Sequence, residues 1–190
     1  MDKVKITEIP GFKIGHAQDL NGATGCTVVL CEKGAVAGVD VRGGSPGTLE
    51  TDALDPVNNR RVIHGILLAG GSAFGLSAAA GVMQYLEERH VGRDVGVTCV
   101  PNVSGAILFD LKCGDPKARP DAAMGYRACQ NAGGDSLAEG SVGAGTGCTI
   151  GKISGRSHAM KGGIGACAFR QGGLLAGAVV AVNCVGDVYD

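Results

Sequence analysis

The chain has 190 residues, 45% hydrophobic and 18% charged, with a formal net charge of −1. That length suits one compact domain, since chains of about 150 residues already bury roughly two-thirds of their surface on folding. Interspersed, near-neutral charge argues against nucleic acid or an anionic membrane as partner, and 4% aromatic residues without Trp leave few stacking platforms for bases.

Met1 to Lys5 leads into no long apolar segment, and the longest hydrophobic run, near Leu174 to Val182, is too short and glycine-broken to span a bilayer. The expected location is therefore the cytoplasm. Gly25 to Leu30 and Ala35 to Val41 read as two strands of a hairpin, turned at Cys31-Glu32-Lys33-Gly34. Arg42 to Asn59 mixes Gly, Pro, Ser, Asp and Asn without a period and reads as a long ordered loop with one helical turn at most. Val62 to Ala69 is a buried strand running into Gly70-Gly71-Ser72, where Ser72 is placed to cap a helix that gathers Leu76, Ala79, Ala80, Met83 and Leu86 on one face.

Further on, Val95 to Val100 and Gly105 to Leu111 read as strands broken by Pro101-Asn102-Val103-Ser104. A second helix starts near Pro120 and ends at Gly133-Gly134. Gly145 to Ile150, Gly163 to Phe169 and Leu174 to Val182 are short apolar segments suited to an antiparallel sheet. The mixed order favours an α+β layered sandwich, in a single domain over residues 1–190, above a doubly wound parallel sheet. The 34 glycines follow no collagen-like period and punctuate apolar strands, which predicts tight turns, closely packed layers and bared backbone. The eight cysteines form no CxxC pair and lie mostly in apolar runs, so buried free thiols are expected.

The four histidines form no HxxxH pair and no acidic cluster has calcium-loop spacing, so neither a metal site nor a cofactor is expected. Gly70-Gly71-Ser72-Ala73-Phe74-Gly75 follows a strand and opens a helix, but lacks the dinucleotide fingerprint and the GKS or GKT of a phosphate loop. Two readings stay open for Gly70, Gly71, Ser72 and Phe74: tight helix-on-sheet packing, or a substrate-facing, oxyanion-binding turn. The stretch from Gly140 to Cys148, including Gly145 and Thr146, is denser in glycine still and suits close approach of a ligand. Lys152 by residue type is a solvated surface group. Asn183 ends the apolar run from Leu174, where its amide either caps the turn or must find buried partners. No GxSxG elbow is present, and no self-contained Ser-His-Asp triad is expected.

Ile9-Pro10-Gly11-Phe12-Lys13-Ile14-Gly15-His16, Val39 to Gly47 and Gly65 to Leu76 together resemble the DmpA-type L-aminopeptidase/D-esterase family, which includes β-aminopeptidases and the endo-acting nylon-oligomer hydrolase. The resemblance continues through Ala106 to Leu111, Gly143 to Gly147, Lys161 to Gly165 and Val179 to Asp187, almost the whole chain. It implies a four-layer α-β-β-α sandwich, similar in architecture to N-terminal-nucleophile hydrolases and to ornithine acetyltransferase. It also implies a precursor that cuts itself before a Ser or Thr, whose hydroxyl attacks while its free α-amine serves as base.

In the family that residue lies downstream of the segment resembled by Asn183 to Asp187, so the chain is expected to be the α-subunit part, with a β-subunit of the same precursor as partner and homo-oligomers of αβ units. By position Lys152 resembles the family's active-site lysine, and Asn183 its oxyanion donor. The implied activity is hydrolysis of small peptides or amides; acyl transfer of the ornithine acetyltransferase kind and an inactive binding homologue are the alternatives, although the Thr-Thr-Gly motif of the former is absent. The DmpA branch proper carries a tyrosine where this sequence has Thr98 to Ser104, so the classical aminopeptidase substrates do not carry over.

Overall fold

The structure, a computed structural model, describes residues 1–59 and 62–189. In chain order its elements are β1 (Asp2–Val4), β2 (Lys13–Asp19), β3 (Thr24–Val36), β4 (Thr48–Leu49), β5 (Val62–Ala69), α1 (Ala78–Glu87), β6 (Arg93–Asp94) and β7 (Cys99–Val100). There follow β8 (Val103–Ile107), α2 (Ala122–Gln130), β9 (Thr149–Ile150), β10 (Met160–Lys161), β11 (Gly163–Gln171) and β12 (Leu174–Val182). A five-stranded sheet has the order β2-β3-β5-β8-β4, and a three-stranded sheet the order β1-β11-β12. Only β5 and β8 run parallel in the larger sheet; α1 lies in the connection between them, as a parallel crossover requires.

Alternation along the strands sends Ala17, Cys26, Val28, Leu30, Leu67 and Val103 to one face, where they are buried beneath α1 and α2. The opposite face carries His16, Gln18 and Thr27, and these polar side chains hold the glycine-rich segment that leads to the second sheet. Thr27 Oγ1 accepts from Ala144 N at 3.0 Å, Gln18 Oε1 from Gly143 N at 3.2 Å, and Ala138 O lies 3.1 Å from His16 Nε2. Gly140 then bridges Ile164 on β11. Helices, sheet and second sheet form the α-β-β portion of the α+β sandwich expected from the resemblance.

The expected hairpin is instead the single strand β3. Its two halves pair with the same neighbour, Leu30 with Gly65 and Ala35 with Ile63, so the charged stretch between them is absorbed as a bulge. Gly34, at φ +79°, makes that bend possible. Of the last three expected strands, Gly163 to Phe169 and Leu174 to Val182 stand as the paired β11 and β12, whereas Gly145 to Ile150 contracts: Gly143–Gly145 is a 3-10 turn and only Thr149–Ile150, β9, pairs, with β10.

Ser72 does not cap a helix. It lies at φ +55° inside a 3-10 turn, Ser72–Ser77, whose preceding residue Gly71 makes no side-chain cap. Ser77 holds the junction to α1, its one hydroxyl hydrogen shared between Phe74 O at 2.9 Å and Pro120 O at 3.1 Å. The buried face of α1 is also rotated from the expected one: Ala78, Ala79, Val82, Tyr85 and Leu86 are inside, whereas Ala80 is exposed and Met83 is 38% exposed. Glycine contacts select this face. A β-carbon on Gly81 would lie 1.8 Å from Ala122 O, and one on Gly125 2.0 Å from Ala78 O, so the two helices meet backbone to backbone there. Tyr85 is carried inward against Tyr126, ring centroids 5.6 Å apart. Asp121 caps α2 as a helix start near Pro120 requires, accepting from Met124 N at 2.8 Å.

All eight thiols are free. Cys26, Cys31, Cys129 and Cys148 are buried, but Cys113 and Cys167 are exposed, so burial is less general than expected. Burial pushes Cys26 and Cys129 up to about 12 and Cys31 to about 11, leaving them protonated and inert. Among the described residues no helix is long and apolar enough to cross a membrane.

Candidate active site

Asn183 follows β12 directly, and its carboxamide is held by three neighbours. Oδ1 accepts from Thr149 N at 2.9 Å and Lys152 Nζ at 3.1 Å, while Nδ2 donates to Phe109 O at 2.7 Å. Two donors facing the oxygen and a carbonyl facing the nitrogen fix which way the amide points. Both lone pairs of Oδ1 are used and one of two amide hydrogens, so one N–H remains to donate.

Lys152 reaches the same point because the segment after β9 runs beside the segment after β12: Gly151 N donates to Gly186 O at 2.9 Å and Lys152 N to Val185 O at 2.7 Å. Gly151 turns the chain at φ +69°. The half-buried Lys152 side chain returns to Asn183, with Nζ donating to its main-chain oxygen at 3.2 Å as well as to Oδ1. Lys152 and Asn183 line one cleft of about 610 Å³, together with Phe109, Asp110 and Thr149.

Asp110 received no role in the sequence reading, yet it is the acid at the back of this cleft, 4% exposed. Oδ2 accepts from Thr24 Oγ1 at 2.7 Å and Oδ1 from Gly71 N at 2.6 Å. The available signal was an acid set in the apolar run from Ala106 to Leu111, since a buried carboxylate must find donors. Its position explains three glycines. A β-carbon on Gly70 would lie 2.0 Å from Asp110 Oδ2, one on Gly147 2.6 Å from Asp110 Cβ, and Gly71 takes φ +77° to aim its amide.

Gly70 and Gly71 thus stand behind the cleft wall and do not line it. Ser72 donates its main-chain N–H to Leu108 O at 3.0 Å. Phe74, 55% exposed, lies under the Arg119 guanidinium at 3.5 Å, away from the cleft lining. Gly145 packs against Ile164 N, and Thr146 is buried with its hydroxyl donating to Gly143 O at 2.7 Å. Of the glycine-rich stretch, Gly147 faces the cleft. Cys148 is no nucleophile: burial first, then the Asp110 charge, pushes its thiol up to about 12 against a smaller opposing effect of Lys161 and Lys152. No group of three His, Cys, Asp or Glu side chains among the described residues could hold a metal ion.

Residues 4–188 match peptidase family S58. An uncharacterized aminopeptidase of Mycobacterium leprae is 47% identical over 97% of this chain and 54% of its own length. The 6-aminohexanoate-oligomer endohydrolase of Paenarthrobacter ureafaciens is 34% identical over 96% of this chain and 49% of its own. The chain therefore spans about half the length of the curated relatives it matches. Among solved structures, the L-aminopeptidase D-Ala-esterase/amidase of Ochrobactrum anthropi, described as a variant of the Ntn hydrolase fold, superposes with a TM-score of 0.76 at 18% identity, over 96% of this chain and 53% of that one. A Burkholderia sp. β-aminopeptidase gives 0.69 at 23% identity, over 96% and 52%. These two likenesses carry the fold, and the sequence matches carry the family: the chain belongs to peptidase family S58, the DmpA-type family that its motifs resemble.

Proposed function

We propose that the chain is the larger part of an amide hydrolase that cuts its own precursor and then works through a Ser or Thr at the new N-terminus of a β segment. The observation carrying this reading is the Lys152–Asn183 pair in one cleft: a cation hydrogen-bonded to an amide that keeps one N–H free. In the proposed reaction the partner's hydroxyl oxygen bonds to the amide carbon, and its proton passes to the α-amine of the same residue. The neighbouring Lys152 ammonium disfavours a protonated α-amine and so keeps it ready as a base. The remaining N–H of Asn183 meets the oxyanion, an interaction worth about 3 kcal/mol in comparable sites. The C–N bond then breaks as the proton passes to the leaving amine, and water releases the acyl group.

Short peptides, amino-acid amides and linear ω-amino oligoamides are the proposed substrates, supported by the names of the relatives. Strand β12 is an edge of its sheet among the described residues, with Leu174 67% and Val180 54% exposed, which supports an obligate β partner and a homo-oligomer of such pairs. A cytoplasmic enzyme without cofactor completes the proposal.

The test uses the protein from its full reading frame. Intact mass should give two polypeptides, the smaller beginning with Ser or Thr, and the mixture should release product from an amide with no amine acceptor present. Release only with an acceptor would favour acyl transfer. Lys152→Met should cut turnover by about 100-fold or more in protein that still unfolds cooperatively, with a Tm lowered only modestly by the two lost hydrogen bonds; an uncut wild-type chain or a fully active Lys152→Met variant would overturn the mechanism.

A further inference from the structure

Besides Lys152, the cleft is lined by two other cations, Lys112 and Arg156, both exposed at its mouth. Each is engaged by neutral groups alone. Arg156 Nη2 donates to Lys112 O, Lys112 Nζ stands 5.8 Å from the Phe109 ring centroid, and Lys152 bonds to the two oxygens of Asn183. None of the three forms an ion pair among the described residues. The acid among the lining residues is Asp110, whose oxygens already hold Thr24 and Gly71. The Asp187 carboxylate abuts Gly151 but does not line the cleft. Among the described lining residues three cations thus stand against the one carboxylate of Asp110, a net positive lining in a chain of net charge −1, and a concave site focuses such a field.

We infer that this cleft receives the carboxylate terminus of an anionic amide, with Arg156 and Lys112 as the recognition residues, rather than the ammonium terminus that an aminopeptidase substrate presents. An Arg fork matches a carboxylate bidentately, and Lys112 adds a point charge beside it. Phe109 and Val185 supply apolar wall for the chain between that carboxylate and the amide held at Asn183. A free ammonium group would meet three like charges and, among the described lining residues, one carboxylate, the buried Asp110. This inference rests on the proposed function and narrows its substrates to the short peptides and ω-amino oligoamides, which end in a free carboxylate, and away from amino-acid amides, which do not; the charge selectivity can be read without catalysis.

Cys113 is exposed and lines the same cleft, so it reports the potential there; 2-mercaptoethanol, a neutral thiol outside the protein's field, is the control. Alkylation of both thiols by iodoacetate and by iodoacetamide is followed by mass spectrometry, with peptide mapping of the full-length protein. Taking the ratio of the two rates at each thiol cancels its own thiolate fraction. The expected iodoacetate preference at Cys113 exceeds that of the control thiol by about threefold or more, and shrinks with added salt. The K112Q/R156Q double variant, which leaves Lys152 and Asn183 in place, should remove the excess. Millimolar glutarate should slow Cys113 alkylation about twofold or more, whereas 1,5-diaminopentane should not. Equal preferences at the two thiols, an excess that survives the double variant, or protection by the diamine instead of the diacid would overturn the inference, whether or not the protein hydrolyses amides.

Discussion

The two ends of the large sheet use glycine for opposite purposes. On the helix side, Gly15, Gly81 and Gly125 let backbone meet backbone: β-carbons there would lie 2.1 Å from Ala128 O, 1.8 Å from Ala122 O and 2.0 Å from Ala78 O. That region is filled by Val28, Leu30, Val82 and Leu86, and its thiols Cys26 and Cys129 are protonated by burial. At the cleft, Gly70, Gly71 and Gly147 make room for a carboxylate, and the polar groups of Asp110 and Asn183 are each satisfied by named donors and acceptors. Glycine therefore excludes other atoms at one end and admits a polar network at the other, and only the second arrangement leaves an amide N–H and a cation facing a cavity.

The largest effect is expected from breaking the cleft side of this contrast. Asn183→Ala removes the free N–H and should lower turnover by about 100- to 1000-fold. It also strips Thr149 N of its acceptor and Phe109 O of its donor, so a stability loss of about 1–3 kcal/mol should accompany it in urea unfolding. Near-normal turnover in this variant would show that the carboxamide serves the β9–β12 junction alone. Next in size are paired glycine substitutions. Gly81→Ala overpacks the helix contact and should cost about 1–3 kcal/mol, with the turnover of the folded fraction intact. Gly147→Ala presses on Ala23 O at 2.2 Å and, on the cleft side, on Asp110 Cβ at 2.6 Å, so it should cost stability as Gly81→Ala does and in addition lower the turnover of the folded fraction. Equal partition of both effects in the two variants would erase the distinction between the ends.

The elements legible in the sequence were those with a local cause. Strand β5 is a bounded apolar run, Pro120 announces α2, and the apolar segments on either side of the glycines at 172–173 announce the antiparallel pair β11 and β12. What could not be read locally depends on partners far along the chain. The stretch between Cys31 and Gly34 has turn chemistry, and only shared pairing of both flanks with β5 makes it a bulge. Likewise Met83 is more apolar than Gly81, but the approach of α2 decides which side of α1 is inside. In the cleft, residue type gives Lys152 a solvated surface position; the roles proposed for it and for Asn183 came from the family resemblance, and the hydrogen bond between them is a fact of the fold. Asp110 went unread because its donors, Thr24 and Gly71, lie on two other strand ends.

The smallest expected effect concerns two histidines that join these regions to the rest of the chain. His16 Nε2 faces Ala138 O and so carries a proton, while Nδ1 accepts at 2.9 Å from the Thr27 hydroxyl, whose oxygen in turn accepts from Ala144 N. His64 Nδ1 accepts from Asn102 N at 3.1 Å, beside Asn102 Oδ1, which has no partner among the described residues. Both rings are thus built as the neutral form, and burial lowers both from the usual 6.5. A folded-state value below the unfolded one means that the unfolded chain binds more protons as pH falls. The stabilisation is complete above about 6.5 and is lost as pH drops through the lowered folded values. Urea midpoints should therefore fall between pH 7.5 and 5.5, before most carboxylates titrate. In the His16→Asn/His64→Asn double variant, where each Asn oxygen can take the place of Nδ1, that slope should flatten. An unchanged slope would assign the acid sensitivity to other groups and leave the anchoring of the glycine-rich segment at His16 independent of pH.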